Sequence, residues 1–214
     1  MSRTEVPKVK KTVYLTSKQD GLKLHVLLME PEGEPKGIVQ IVHGMAEHKE
    51  RYEPFMEMLC KHGYISVIHD HRGHGKSIRK EEDLGYFYDE SGTAIIEDVH
   101  QITQWTKERY GKLPYHLFGH SMGSLVVRCY LKKYDDELDS LIVCGSPSEN
   151  KAAKAAALMA KAACKMGAHK RGDIFQKMAF GLYGKILEEG ESENGWISYN
   201  KENVKAYDEN PLDG

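Results

Sequence analysis

From Ile38 to Cys144 the chain alternates short apolar runs with helical stretches, and this pattern restricts the fold more than any other feature. Ile38-Val-Gln-Ile-Val42, Tyr64-Ile-Ser-Val-Ile68 and Leu141-Ile-Val-Cys144 are short, β-branched runs suited to strands buried on both faces. Tyr115 to Phe118 is another short apolar strand. Between the runs, Tyr52, Phe55, Met56 and Leu59 recur at helical spacing, and Ser91 to Tyr110 carries Ile95, Val99 and Ile102 on one face. Gly63 and Gly111 follow these stretches as C-cap glycines. Leu125 to Tyr134 continues the pattern. Upstream, Thr12–Thr16 and Leu22–Leu28 flank Gln19-Asp20-Gly21, a hairpin signal. The chain is therefore expected to be α/β, with a mainly parallel sheet, helices on both faces and an antiparallel hairpin leading in. Ligands of such sheets bind at the carboxyl ends of the strands.

Three of those ends carry chemistry. The first is His43-Gly44-Met45-Ala46-Glu47-His48, the second His69 to Ser77, and the third Gly119-His120-Ser121-Met122-Gly123. A serine hydroxyl is a weak nucleophile unless it is held in a reactive pose. A Gly-x-Ser-x-Gly sequence between strand and helix supplies such a pose, because only small residues fit two positions either side of a very tight turn. The amide after the serine then lies at a helix N-terminus, where an anion is favoured. Alone, the five-residue pattern reads equally well as an ordinary glycine–serine turn.

Five histidines fall in the first two loops: His43, His48, His69, His71 and His74. None forms HExxH and no cysteine lies close in sequence, so they are read as bracing or lining the site rather than holding a metal. Asp70 and Arg72 are expected to pair and hold the second loop. Glu47 has two readings, contact with a polar substrate group or a hydrogen bond to backbone, and a carboxylate in a turn more often does the second.

The formal net charge of −2 argues against a phosphate-neutralising nucleic-acid protein. Cys60, Cys129, Cys144 and Cys164 form no CxxC pair, and no apolar leader opens the chain. Together these features predict reduced thiols and a cytoplasmic protein. The composition changes at Glu149. Lys151 to Met166 is an Ala-rich helical stretch with Lys151, Lys154, Lys161 and Lys165 on one side, and Ile174 to Leu187 also reads as helix. The lysine face reads as a solvated surface or as a contact with anionic lipid. The last residues, from Asn200, are polar.

The three motifs, each after an expected strand and in this order, resemble the α/β-hydrolases of the monoacylglycerol lipase and lysophospholipase-like group, with a serine aminopeptidase S33 type of domain. The resemblance is clear over about residues 10 to 148. It implies a hydrolase core over 1–148 and a helical cap over 149–214. It also implies a cofactor-free hydrolase of carboxylic esters, acting on monoacylglycerols, lysophospholipids or small acyl esters. Ser121 would be the nucleophile, and the Met45 and Met122 amides would form the oxyanion hole. His43, Gly44, Glu47 and His120 would shape the site. Thioesterases and peptidases of this type share the same motifs.

The family also needs an acid and a histidine after the nucleophile, each following a strand. Only His169 follows Ser121, within a cap-like stretch, and no buried-strand pattern follows Glu149. The expectation is a core incomplete at its C-terminal strands, truncated before the triad acid and base. Such a chain would have impaired activity and an open sheet edge prone to self-association. A non-catalytic product that binds acyl ligands or a partner is the alternative.

Overall fold

The structure, a computed structural model, describes residues 9–148 and 192–213. The chain divides into two compact units, Met1–Ser148 and Glu149–Gly214. In the first unit the elements are β1 (Val9–Thr16), β2 (Lys23–Glu30), β3 (Gly37–Val42), α1 (Glu53–Lys61), β4 (Tyr64–His69), α2 (Ala94–Tyr110), β5 (Tyr115–His120), α3 (Met122–Tyr134) and β6 (Ser140–Cys144).

The six strands form one sheet in the order β1-β2-β4-β3-β5-β6. β1 and β2 are an antiparallel hairpin, and β2 meets β4 antiparallel. The pairs β4–β3, β3–β5 and β5–β6 are parallel. This is the α/β arrangement that the alternating pattern predicts. At the hairpin turn, Gly21 adopts φ +76, a conformation that costs glycine little.

The period-2 alternation of β3 sorts its side chains onto two faces. Val39 and Ile41 pack with Leu27, Met29, Ile68 and, from α1, Met56 and Cys60. Ile38 and Val42 face the other way, toward clusters that include Ile102 of α2 and Val126, Val127 and Tyr130 of α3. Each fully buried aliphatic side chain contributes about 1.5–3 kcal/mol. The sheet is thus covered on both faces, and the loops at its carboxyl end are held on a rigid base. Gln40, on the α2 face, is fully buried but satisfied: it donates to the Val99 carbonyl and accepts from Thr103 and Tyr115.

The last strand differs from the rest. β6 is an edge strand among the described residues, and its Ile142 and Val143 are 46% and 41% exposed.

In the second unit, Lys201–Asp208 is a helix where the sequence reads only as polar. Its start is local: the Asn200 side chain accepts from the Glu202 N–H as an N-cap. Val204 and Tyr207, three residues apart, are its buried face. The helical stretches expected at Lys151 to Met166 and Ile174 to Leu187, the lysine side of the first, and His169 lie outside the described residues.

Candidate active site

The Ser121 turn links β5 directly to α3. Ser121 sits at φ 50, ψ −116, a left-handed backbone that costs a side-chain-bearing residue on the order of 1–3 kcal/mol. The two flanking glycines make this possible. A Cβ on Gly119 would lie 2.6 Å from the Gly123 carbonyl oxygen and 2.6 Å from a Val127 methyl. A Cβ on Gly123 would strike the carbonyls of Val42 and His43. The Ser121 N–H donates to the Cys144 carbonyl at 3.0 Å, and the Ser121 carbonyl accepts from the Ser124 hydroxyl and N–H. This is the strained strand-to-helix geometry that a nucleophile elbow requires.

Close docking of Gly123 on the end of β3 brings the first loop against the serine. A Cβ on Gly44 would sit 3.2 Å from the Ser121 Cβ. Met45 follows at the surface, 40% exposed, and Ala46 takes φ 56. Among the described residues neither the Met45 amide nor the Met122 amide has a hydrogen-bond partner. Two free backbone donors therefore flank Ser121, one at the β3 turn and one at the first residue of α3.

Glu47 settles in its backbone reading. Its Oε1 accepts a short hydrogen bond from the Gly44 N–H and another from the Tyr52 hydroxyl at 2.8 Å. His120 Nδ1 lies 3.2 Å from the same oxygen and 2.9 Å from the Tyr52 hydroxyl. Arg51 Nε lies 3.5 Å from Oε2. Burial would raise the Glu47 carboxyl, but the His120 contact, the His43 ring and the bonds from Tyr52 and Gly44 together hold it down at about 2. The same carboxylate, together with burial, pushes the Tyr52 phenol well above its ordinary value. Tyr52 is a site residue that the sequence reading placed only on an apolar helix face.

Behind this lies a buried histidine group. His71 N–H donates into His43 Nε2 at 2.9 Å, so the other His43 nitrogen carries the proton and donates to the Gly44 carbonyl at 2.8 Å. His71 Nε2 in turn donates to the His43 carbonyl at 3.0 Å. The rings of His43 and His71 are 4.1 Å apart, and His69 and His74 pack edge-on to His71. Burial pushes all four imidazoles below their ordinary value, His74 to about 4 and His69 to about 3, so they stand neutral. They brace the loops, as the sequence suggested. Among the described residues no group of three or more His, Cys, Asp or Glu side chains is arranged to hold a metal ion.

The expected Asp70–Arg72 pair does not form. Asp70 is fully buried and takes Lys49 instead: Lys49 Nζ at 2.8 Å, Lys49 N–H at 2.8 Å and Lys76 N–H at 2.9 Å. Arg72 points across the sheet to Asp98 at 2.8 Å and to Asp20 of the hairpin turn at 3.3 Å. Two residues on one loop thus tie it to two different elements. Lys49, nearly fully buried, gave no sequence signal, since a lysine in a charged loop normally reads as solvated.

The acids that precede the cap lie elsewhere. Asp139 accepts from the Tyr115 N–H at 2.7 Å, at the amino end of β5 and so at the opposite end of the strand from Ser121. Among the described residues no imidazole hydrogen-bonds the Ser121 hydroxyl.

Residues 33–213 match the protein family described as Serine aminopeptidase, S33. The chain is 30% identical over 128 residues to a monoacylglycerol lipase of Mycolicibacterium smegmatis, an overlap of 58% of this chain and 43% of that one. It is 34% identical over 107 residues to the human monoglyceride lipase, an overlap of 50% and 34% respectively. The chain thus spans less than half the length of these curated relatives. Among solved structures, a thermostable carboxyl esterase from Bacillus coagulans superposes with a TM-score of 0.83 at 26% identity, covering 96% of this chain and 67% of that one.

Proposed function

Since this chain belongs to the serine aminopeptidase S33 family of α/β-hydrolases, we propose that it carries the acyl-transfer face of a serine hydrolase of carboxylic esters. The substrates we assign are monoacylglycerols, lysophospholipids or small acyl esters: monoacylglycerol or monoglyceride lipases are among the relatives at 30–34% identity, a probable lysophospholipase is 28% identical, and a carboxyl esterase of known structure is 26% identical. One observation carries the reading: Ser121 is strained into a half-buried turn between two backbone amides that are unpartnered among the described residues. Ser121 Oγ attacks the acyl carbon, and its proton passes to a base. The carbonyl oxygen becomes an oxyanion held by the Met45 and Met122 N–H groups, each donor being worth roughly 3 kcal/mol in the transition state. The C–O bond to the alcohol breaks as the alcohol takes up a proton. Water then releases the acid from the serine ester. The mechanism asks no cofactor of the chain.

The base is the weak point. Among the described residues no imidazole lies on the Ser121 hydroxyl, and a serine hydrolase without such a base would turn over several powers of ten more slowly than one with a complete triad. That same observation favours a second reading, a non-catalytic fold that binds acyl ligands. A fluorophosphonate probe separates the two. Labelling that is lost in Ser121→Ala supports the serine hydrolase. Probe-independent thermal stabilisation by a monoacylglycerol, surviving Ser121→Ala with no ester turnover, supports the binding fold.

Residues 149–214 are read as a helical cap region. A cytoplasmic location fits the free thiols of Cys60, Cys129 and Cys144. No helix among the described residues is long and apolar enough to cross a membrane. The exposed, uncharged edge of β6 is read as a surface for self-association with a second copy.

A further inference from the structure

Glu47 gathers donors from three separate elements: Gly44 in the loop after β3, Tyr52 just ahead of α1, and His120 at the end of β5. Its bond to Gly44 closes a ring across Met45 and Ala46. Within that ring Ala46 is held at φ 56, a conformation that alanine leaves unless something over-determines it. Closing the ring fixes the peptide plane between Gly44 and Met45, and that plane carries the Met45 N–H. The ring also lies against the nucleophile, since Gly44 has no room for a Cβ beside Ser121.

A carboxylate this close to a developing oxyanion would oppose it unless its charge were already engaged. Here Oε1 is taken by three donors and Oε2 faces Arg51. The charge is directed away from the acyl site and into the loop's own backbone. Oε1, the oxygen nearest the turn's backbone, is thereby saturated.

We propose that Glu47 is a positioning residue: its carboxylate, braced by Tyr52 and His120, holds the Met45 N–H in register with Ser121 and Met122, and it touches no substrate atom. This rests on the assignment of Ser121 and Met45 above.

The test uses the full 214-residue chain with Glu47→Ala and Glu47→Gln and two readouts. The first is amide NMR. A short hydrogen bond to a carboxylate moves the Gly44 proton downfield and slows its exchange. In Glu47→Ala the downfield shift disappears, and exchange at Gly44 rises by at least about tenfold, the loss of a charge-assisted bond. Glu47→Gln keeps an acceptor at the same place and retains most of the protection. The second readout is fluorophosphonate labelling of Ser121. In Glu47→Ala the saturating rate constant falls roughly 100-fold, the loss expected for one misplaced oxyanion donor, while the half-saturating concentration is nearly unchanged. Glu47→Gln recovers most of that rate.

The proposal is overturned by an unchanged Gly44 amide in Glu47→Ala, by a loss that appears only in the half-saturating concentration, or by failure of glutamine to rescue. If the wild-type chain is not labelled at all, Ser121 lacks a base to activate it and the labelling readout falls away. The Gly44 amide then decides alone: protection lost in Glu47→Ala upholds the clamp, and protection retained overturns it.

Discussion

The two flanks of the Ser121 turn are built in opposite ways. On the β3–β4 side, the loops 43–52 and 69–77 are largely buried and densely bonded: Asp70 takes Lys49, Glu47 takes the Gly44 N–H, and His43 and His71 bond one another's ring and backbone, while His69 packs among them without a hydrogen bond from either ring nitrogen. On the β6 side, the strand is an edge among the described residues and shows Ile142 and Val143 to solvent, and it meets the turn through the bond from the Ser121 N–H to the Cys144 carbonyl. Two unpartnered amides thus stand beside Ser121, while among the described residues no imidazole hydrogen-bonds the serine hydroxyl. Half of a catalytic site can be rigid without the other half, because its rigidity comes from loops that bond to each other rather than to substrate.

Acid should break the buried flank first and most strongly. The folded-state values of His69 (about 3) and His74 (about 4) lie below the unfolded value near 6.5, and His43 and His71 are also lowered. As pH falls below 6.5 the unfolded chain takes up protons that the folded chain refuses. Stability is therefore full above pH 6.5 and is lost on the way down to about 4 and 3. Each histidine contributes about 1.4 kcal/mol per pH unit in that window. The lowered carboxyls of Glu47 and Asp70 act only below about pH 4, so the window above belongs to the histidines. Urea midpoints measured from pH 7.5 to 5 should fall steeply. A flat profile would mean that the cluster is already protonated or open.

Next in size is the Asp70–Lys49 pair. Asp70→Asn leaves the buried Lys49 ammonium with Glu50 alone and should cost about 3 kcal/mol, while adding Lys49→Met should restore much of it. Urea denaturation of Asp70→Asn, Lys49→Met and the double variant checks this, and an additive double mutant would show that the two groups do not interact. The exposed flank should respond least in stability. Ile142→Lys should shift it by no more than about 0.5 kcal/mol. It should nevertheless raise the monomer fraction in sedimentation velocity, since a lysine on an open edge opposes strand pairing. A monomeric wild-type chain would remove self-association through β6.

Much of the fold was legible. The β-branched runs, the Asp20-Gly21 turn and the helical spacing of Phe55, Met56 and Leu59 each report a local periodicity, and the strands and helices follow them closely. The helix Lys201–Asp208 escaped because only Val204 and Tyr207 mark its buried face, and two residues make no stripe. In the site, Ser121 was legible because the turn needs glycine at fixed offsets on either side, a requirement written within five residues. Tyr52 was legible as apolar but not as a hydroxyl donor to Glu47, since that depends on α1 starting just after the β3 loop has turned back over β5.

By itself, then, the sequence determined the strand–helix alternation, the hairpin and the tight Ser121 turn, because these follow from backbone sterics and from periods of two and 3.6 residues. The tertiary structure decided the partners. Asp70 chose Lys49 over its near neighbour Arg72, and Arg72 chose Asp98 and Asp20. Glu47 found His120, 73 positions away, because β3 and β5 lie side by side in the sheet. Long polar side chains reach whatever the crossovers bring within a few ångströms, and no local pattern records which element that will be.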